Sequence, residues 1–217
     1  MNINSDFEKY IKSSKVNQEH FNMYKQTINC SNNNDNVVDV FSKLFDNRIL
    51  MLSGEVDGYI CELLKAQLLY LEEIDSKKDI TIYCNSGGGS VYHGLGLIDI
   101  IEYVSPEIIT VNTGLAASMA AVILCSGTKG KRKALKRSRT LIHQPLSYGG
   151  RYIQQASDIM IDAKEIDTLK KELYEIISTQ TGQSYDKVCK DGDRDFWMNA
   201  TEAKRYGMID EIISNRK

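Results

Sequence analysis

"DITIYCNSGGGSVYHGLGLIDIIEYVSPEIITVNTG" (79–114) is the stretch that decides the fold. "DITIYC" (79–84) is a short run of β-prone residues that meets the glycine-rich "NSGGGS" (85–90). "VYHGLGLIDIIEYV" (91–104) then reads as an apolar helix, and "EIITVNTG" (107–114) returns to a β-prone run. Strand, glycine turn, helix, strand is a βαβ unit, which sets its strands parallel and lays the helix over the sheet.

The alternation continues on both sides. "RILMLSG" (48–54) predicts a buried strand ended by Gly54, and "YICELLKAQLLYLEEI" (59–74) a helix. A further helix is expected to begin near Ser118, and "RTLIHQP" (139–145) predicts a strand stopped by Pro145. The order β-α-β-α-β-α-β implies an α/β layered fold. "QQASDIMIDAKEIDTLKKELYEIISTQTG" (154–182) predicts a long amphipathic helix closed by Gly182 as a C-cap. A helix of roughly 25 residues spans about 38 Å. That is long for one domain core and predicts projection into a partner. Residues 1–36 are polar, end in "CSNNNDN", and read as a linker or mobile loop.

Composition narrows the function classes. The 217 residues are 42% hydrophobic, enough for one large domain with a real core. A net charge of −2 gives no pointer to nucleic acid. The five cysteines (Cys30, Cys61, Cys84, Cys125 and Cys189) contain no CxxC pair, so no zinc site is expected and reduced thiols are. The N-terminus lacks the apolar region of a secretory signal, and the apolar run Leu115–Cys125 is shorter than the roughly 20 residues a membrane span needs. A cytoplasmic protein is expected.

Reactive groups in parallel α/β sheets gather at the carboxyl ends of strands. Three features fall there: the glycine run, Ser118 in "TGLAASMAAVILCSG" (113–127), and His143. The glycines could present bare N–H groups to a ligand, or simply make a tight turn, and no GK[ST] follows to suggest a phosphate loop. Ser118 near a helix start could be a nucleophile whose oxyanion the Met119 N–H stabilises, or a small N-capping residue. Its surroundings are not the GxSxG elbow. His143 is one of three histidines, with His20 and His93. The orienting acid stays open among Asp191, Asp193 and Asp195 of "CKDGDRDFW" (189–197).

These residues resemble a known family. "GLAASMAAVILCSGTKGKRKALKRSRTLIHQPL" (114–146) is similar to the nucleophile and histidine segments of the ClpP serine peptidases. "QASDIMIDAKEI" (155–166) resembles the start of their handle helix, and "TGQSYDKVCKDGDRDFWMNATEAKRYGMIDEII" (181–213) their C-terminal section. The resemblance runs from about Asp39 to the end. It implies a ClpP/crotonase-type layered fold of βαβ units with a projecting handle at 146–182. It implies a peptidase domain over 39–217, preceded by an atypical segment over 1–38.

Carried over, Ser118 is the nucleophile, His143 the general base and Asp195 its orienting acid. The Gly89 and Met119 N–H groups form the oxyanion hole. Asp193 and Arg194 match a charged ring-to-ring contact, and Tyr83 a residue of the groove that receives an unfoldase. The resemblance implies a homo-oligomer of two stacked heptameric rings, unfolded polypeptide substrates and an AAA+ unfoldase partner. It implies no cofactor or metal on this chain, ATP being used by the partner, and no nucleic acid or membrane.

Three departures stand out. Gly87 replaces the family's proline in "N-S-P-G-G", Thr81 replaces a tyrosine beside Tyr83, and "NNNDNVVDVFSKL" (32–44) keeps a trace of the usual N-terminal motif. They keep other readings in view: a specialised or regulatory paralogue that needs a partner subunit, or a phage-type prohead protease. A crotonase-type acyl-CoA enzyme is a third, disfavoured by the Ser–His–Asp match.

Overall fold

The computed structural model describes residues 27–28, 38–146 and 155–214. The expectations placed on most of residues 1–38, on Cys30 and His20, and on the connection 147–154 lie outside the described residues. The chain divides into two compact units, residues 1–49 and 50–217. In the first, β1 (Thr27–Ile28) pairs antiparallel with β2 (Val38–Asp39), and α1 (Val40–Asp46) follows directly.

The second unit is the α/β layer predicted from the βαβ stretch. Its order is β3 (Ile49–Val56), α2 (Gly58–Ile74), β4 (Ile80–Gly89), α3 (Val91–Tyr103), β5 (Ile108–Ala117) and α4 (Met119–Cys125). There follow β6 (Arg132–Leu135), β7 (Arg139–Ile142), α5 (Ala156–Thr181), α6 (Tyr185–Asp191), β8 (Phe196–Asn199), α7 (Ala200–Tyr206) and β9 (Glu211–Ile213). The main path through the sheet is β3-β4-β5-β6-β9. β4 with β5, β5 with β6 and β6 with β9 are parallel pairs, as the crossovers require.

β5 forks. Thr110–Asn112 pair with β6, while Leu115–Ala117 pair with β7, which in turn holds β8 antiparallel. The fully buried Asn112 sits at the fork. Its Nδ2 donates to the Arg139 carbonyl at 2.9 Å and its Oδ1 accepts from the Gly114 N–H at 3.1 Å. Both halves of its amide are thereby satisfied where the ladder itself breaks.

The helices bury one stripe each. α2 is capped by Asp57, whose carboxylate accepts the Ile60 N–H at 2.9 Å, and buries Ile60, Cys61, Leu64, Leu68 and Leu71 at helical spacing. α4 is buried at all seven positions, so the apolar run after Ser118 is core. α5 has 26 residues, about 39 Å at 1.5 Å per residue, and ends on Gly182 at φ 75° as its C-cap. Its buried residues, Leu169, Leu173, Tyr174 and Ile177, all belong to its second half. Ile159, Met160 and Ile161 of the first half are 52%, 75% and 65% exposed, so the apolar residues of this half are uncovered in the single chain.

Two local expectations are corrected. "NSGGGS" is not a free turn: β4 stays in the sheet through Gly89, with Gly88 at φ 95° and Gly89 at φ 154°, and α3 starts after Ser90. The Ser90 N–H donates to the Val56 carbonyl at 2.7 Å, which holds this end of β4 beside β3. β7 ends at Ile142, so His143 follows the strand rather than closing it.

Candidate active site

Ser118 stands between β5 and α4 with φ 55° and ψ −128°. A non-glycine residue at positive φ is uncommon and costs energy that the surroundings must cover. Here the Ser118 N–H donates to the Leu141 carbonyl of β7 at 2.9 Å, and its carbonyl accepts from Ala121 at 2.9 Å. The sharp turn throws the side chain away from the buried helix and into a cleft.

The glycine strand forms one wall. A Cβ on Gly88 would come within 2.6 Å of both the Ala117 carbonyl oxygen and the Ser118 Cβ, and 3.1 Å of the Met119 nitrogen. A Cβ on Gly89 would overlap the Val56 backbone. With no side chains in the way, the backbone of Gly88 packs against Ala117–Met119 and that of Gly89 against Val56. Gly87 differs: a Cβ there meets nothing within 4 Å. The position where the family pattern has proline is therefore open space.

His143 is 14% exposed, and its Nδ1 lies 3.4 Å from Asp195 Oδ1, a carboxylate that is 63% exposed. Register explains the meeting. Ile142 of β7 pairs with Phe196 of β8, so the next residue on one strand faces the preceding residue on the other. The other two candidate acids are placed elsewhere. Asp191 pairs with Lys187 Nζ at 2.5 Å, and the Asp193 carbonyl accepts from Gln144 Nε2 at 2.7 Å. Gln144 Oε1 accepts in turn from Lys170 Nζ on α5 at 3.3 Å. Sequence reading passed over Gln144, although its place beside His143 was the available signal.

Ser118, His143 and Gly89 line one pocket of about 920 Å³. An apolar pocket of about 20 Å³ adjoins Ser118 and His143, lined also by Met119, Val122, Leu173 and Ile177. No hydrogen bond joins Ser118 Oγ to His143 among the described residues; such bonds often tighten only once substrate is bound. Arg194 and the Asp193 side chain are exposed on the β8 approach, outside this pocket. Tyr83 is half-buried on β4, on the face shared with Thr81 and opposite the buried Ile82 and Cys84. Among the described residues no three His, Cys, Asp or Glu side chains cluster as a metal site. No helix of the described residues is long and apolar enough to cross a membrane. Cys61, Cys84 and Cys125 are buried free thiols, and Cys189 is half-buried and free.

An α/β sheet that gathers a serine at a strained turn, a histidine and a carboxylate around one cleft has the arrangement of a serine hydrolase. Residues 32–216 match the Clp protease family. An ATP-dependent Clp protease proteolytic subunit of Bacteroides fragilis is 56% identical over 176 residues, 81% of this chain and 84% of the relative. One from Porphyromonas gingivalis is 53% identical over 181 residues, 83% and 80% of the two chains. Proteolytic subunit 3 of Parasynechococcus marenigrum is 52% identical over 178 residues, 82% and 88%. The chain belongs to the Clp protease family.

Proposed function

We propose that this chain is the serine endopeptidase subunit of a Clp protease, an oligomeric proteolytic core that works with an unfoldase. The Ser118, His143 and Asp195 side chains carry the chemistry. His143 takes the Ser118 hydroxyl proton as Oγ attacks the peptide carbonyl, and the Gly89 and Met119 N–H groups hold the tetrahedral oxyanion. His143 then gives that proton to the leaving amine, and water repeats the cycle on the acyl-enzyme. Asp195 keeps the imidazole oriented and stabilises its charged form.

The observation that carries this reading is the Nδ1–Oδ1 approach of 3.4 Å behind a histidine that shares its pocket with Ser118. The flat packing of Gly88 against Ser118 and Met119 supports the oxyanion assignment. The exposed apolar half of α5 supports assembly through handles into two stacked heptameric rings. Tyr83 supplies the unfoldase contact, Asp193 and Arg194 the contact between rings, and unfolded polypeptide is the substrate. ATP is consumed by the unfoldase, this chain carries no cofactor, and it works in the cytoplasm.

A fluorophosphonate probe tests the centre of the reading. Assembled protein should label at Ser118, Ser118→Ala should not, and peptide cleavage should fall by several orders of magnitude in that variant. Equal labelling of the two proteins would sink it. Imaging the same sample by negative stain checks the rings.

A further inference from the structure

The pocket of about 920 Å³ does not end at Ser118 and His143. Its lining also includes Glu55 on β3, Tyr92 on α3, and Asp162 and Glu165 on α5. The Tyr92 hydroxyl donates to Glu165 Oε1 at 3.2 Å and so aims that carboxylate across the gap between α3 and α5. Ile166 and Leu169 supply an apolar strip beside it. Among the described residues that line the pocket there is no lysine or arginine, while three are carboxylates.

A volume of this size takes several residues of an extended peptide rather than one side chain. A lysine or arginine entering it can lay its methylene stem on Ile166 and Leu169 and keep its charged head at Glu55 and Glu165. A glutamate in the same place meets like charge. Glu55, Asp162 and Glu165 are exposed, so they act on a passing charge through solvent and together rather than singly, an attraction that salt screens.

We infer that this acidic wall selects substrate segments carrying lysine or arginine near the scissile bond and disfavours acidic ones. The inference rests on the peptidase reading above and adds a substrate class to it.

The test compares peptides that differ at one residue, Lys, norleucine or Glu, placed in turn on either side of the cleaved bond. Assembled wild-type protein should show, at one or more positions, kcat/KM at least tenfold higher for Lys than for Glu, with norleucine between them. The ratio should shrink at high salt. In a Glu55→Gln/Glu165→Gln variant the Lys-to-norleucine ratio should fall towards one. A flat or reversed ratio in the wild type overturns the inference, and that comparison does not depend on how the variant folds. A ratio that persists unchanged in the folded variant also overturns it. Fluorophosphonate labelling of the wild type separates the two levels. Labelling with a flat ratio defeats the acidic-wall inference alone, whereas no labelling and no cleavage defeat the peptidase reading and the inference with it.

Discussion

His143 and Asp195 are successive-register neighbours across an antiparallel pair: each lies one residue beyond the Ile142–Phe196 rung, and their Nδ1 and Oδ1 atoms stand 3.4 Å apart. The pairing of β7 with β8 thus fixes the backbones of both, whatever the exposed carboxylate does in solvent. Asp195→Asn keeps the size of the side chain and removes its charge, so its effect reads catalysis rather than folding. We expect kcat/KM for a short peptide to drop by about 10³–10⁴ with Tm nearly unchanged. A drop of less than threefold would show that another group orients the imidazole.

Gly87 and Gly88 are adjacent and opposite in what they tolerate. Gly87→Ala adds a methyl in open space and removes freedom from the unfolded chain, for a gain of about 0.4–1 kcal/mol. Its Tm should rise by a degree or more with activity retained. Gly88→Ala places that methyl 2.6 Å from the Ala117 carbonyl oxygen at φ +95°, so the strand must move off Ser118. Peptidase activity should fall at least a hundredfold, as it does when reacting groups shift by about 1 Å. Thermal melts and peptide assays on the two variants check the pair.

Arg132 is buried, and its guanidinium clasps Asp210 through Nε at 2.9 Å and Nη2 at 2.6 Å. Nη1 donates to the Gln180 carbonyl at 2.8 Å, which ties α5 to β6. Burial works against the Asp210 charge, but hydrogen bonds from Arg132 and the Gly130 N–H outweigh it and hold the carboxyl below its ordinary range. A lowered carboxylate pKa gives stability that is present above the unfolded value and lost as pH falls through the folded one. Asp210→Asn should flatten the acid limb of a stability–pH curve. Removing one partner of such a pair costs about 3–5 kcal/mol, read from denaturant melts at neutral pH.

The core thiols act at the other end of the scale. Burial pushes the Cys84 and Cys125 thiols well above their ordinary value, each up to about 12. The unfolded chain therefore loses these protons first, and folding stability falls as pH rises above 9, by about 1.4 kcal/mol per unit for each thiol. Cys84→Ala/Cys125→Ala should show a shallower alkaline decline. In the native wild type, iodoacetamide at pH 8 should modify the half-buried Cys189 and leave Cys84 and Cys125 untouched.

Periodicity carried the layered fold because α2, α3 and the second half of α5 bury clean helical stripes, and the glycine C-cap of α5 stood at 182 as expected. It failed on "NSGGGS", where glycine's poor strand propensity argued for a turn. Close backbone approach to Val56 and Ser118, a tertiary demand, keeps those glycines in the strand. β6 was not predicted at all: "RKAL" opens with a charged residue that is buried because Asp210, 78 residues away, pairs with it. Ser118 and His143 were legible as strand-end residues. Choosing Asp195 among three aspartates needed either a family pattern or the β7–β8 register, since spacing along the chain says nothing about which one crosses the sheet. The acidic wall could not be read at all: Glu55, Tyr92 and Glu165 come from three elements and only folding brings them together.

The fork in β5 gives the molecule a seam. Below Asn112 the strand is locked to β6, and above it the same strand carries β7, β8 and with them the histidine and aspartate. The β7–β8 arm joins the main sheet along the rungs Leu115–Arg139, Ala116–Thr140 and Ala117–Leu141, and the buried Asn112 amide, bonded to the Arg139 carbonyl, is the keystone of this Y-shaped joint. Ser118 is threaded on the stem immediately past that joint and bonded to the arm through Leu141. Ser118 and His143 are consequently carried on two segments that are paired to each other just beyond the branch, so a displacement of one strand is passed to the other.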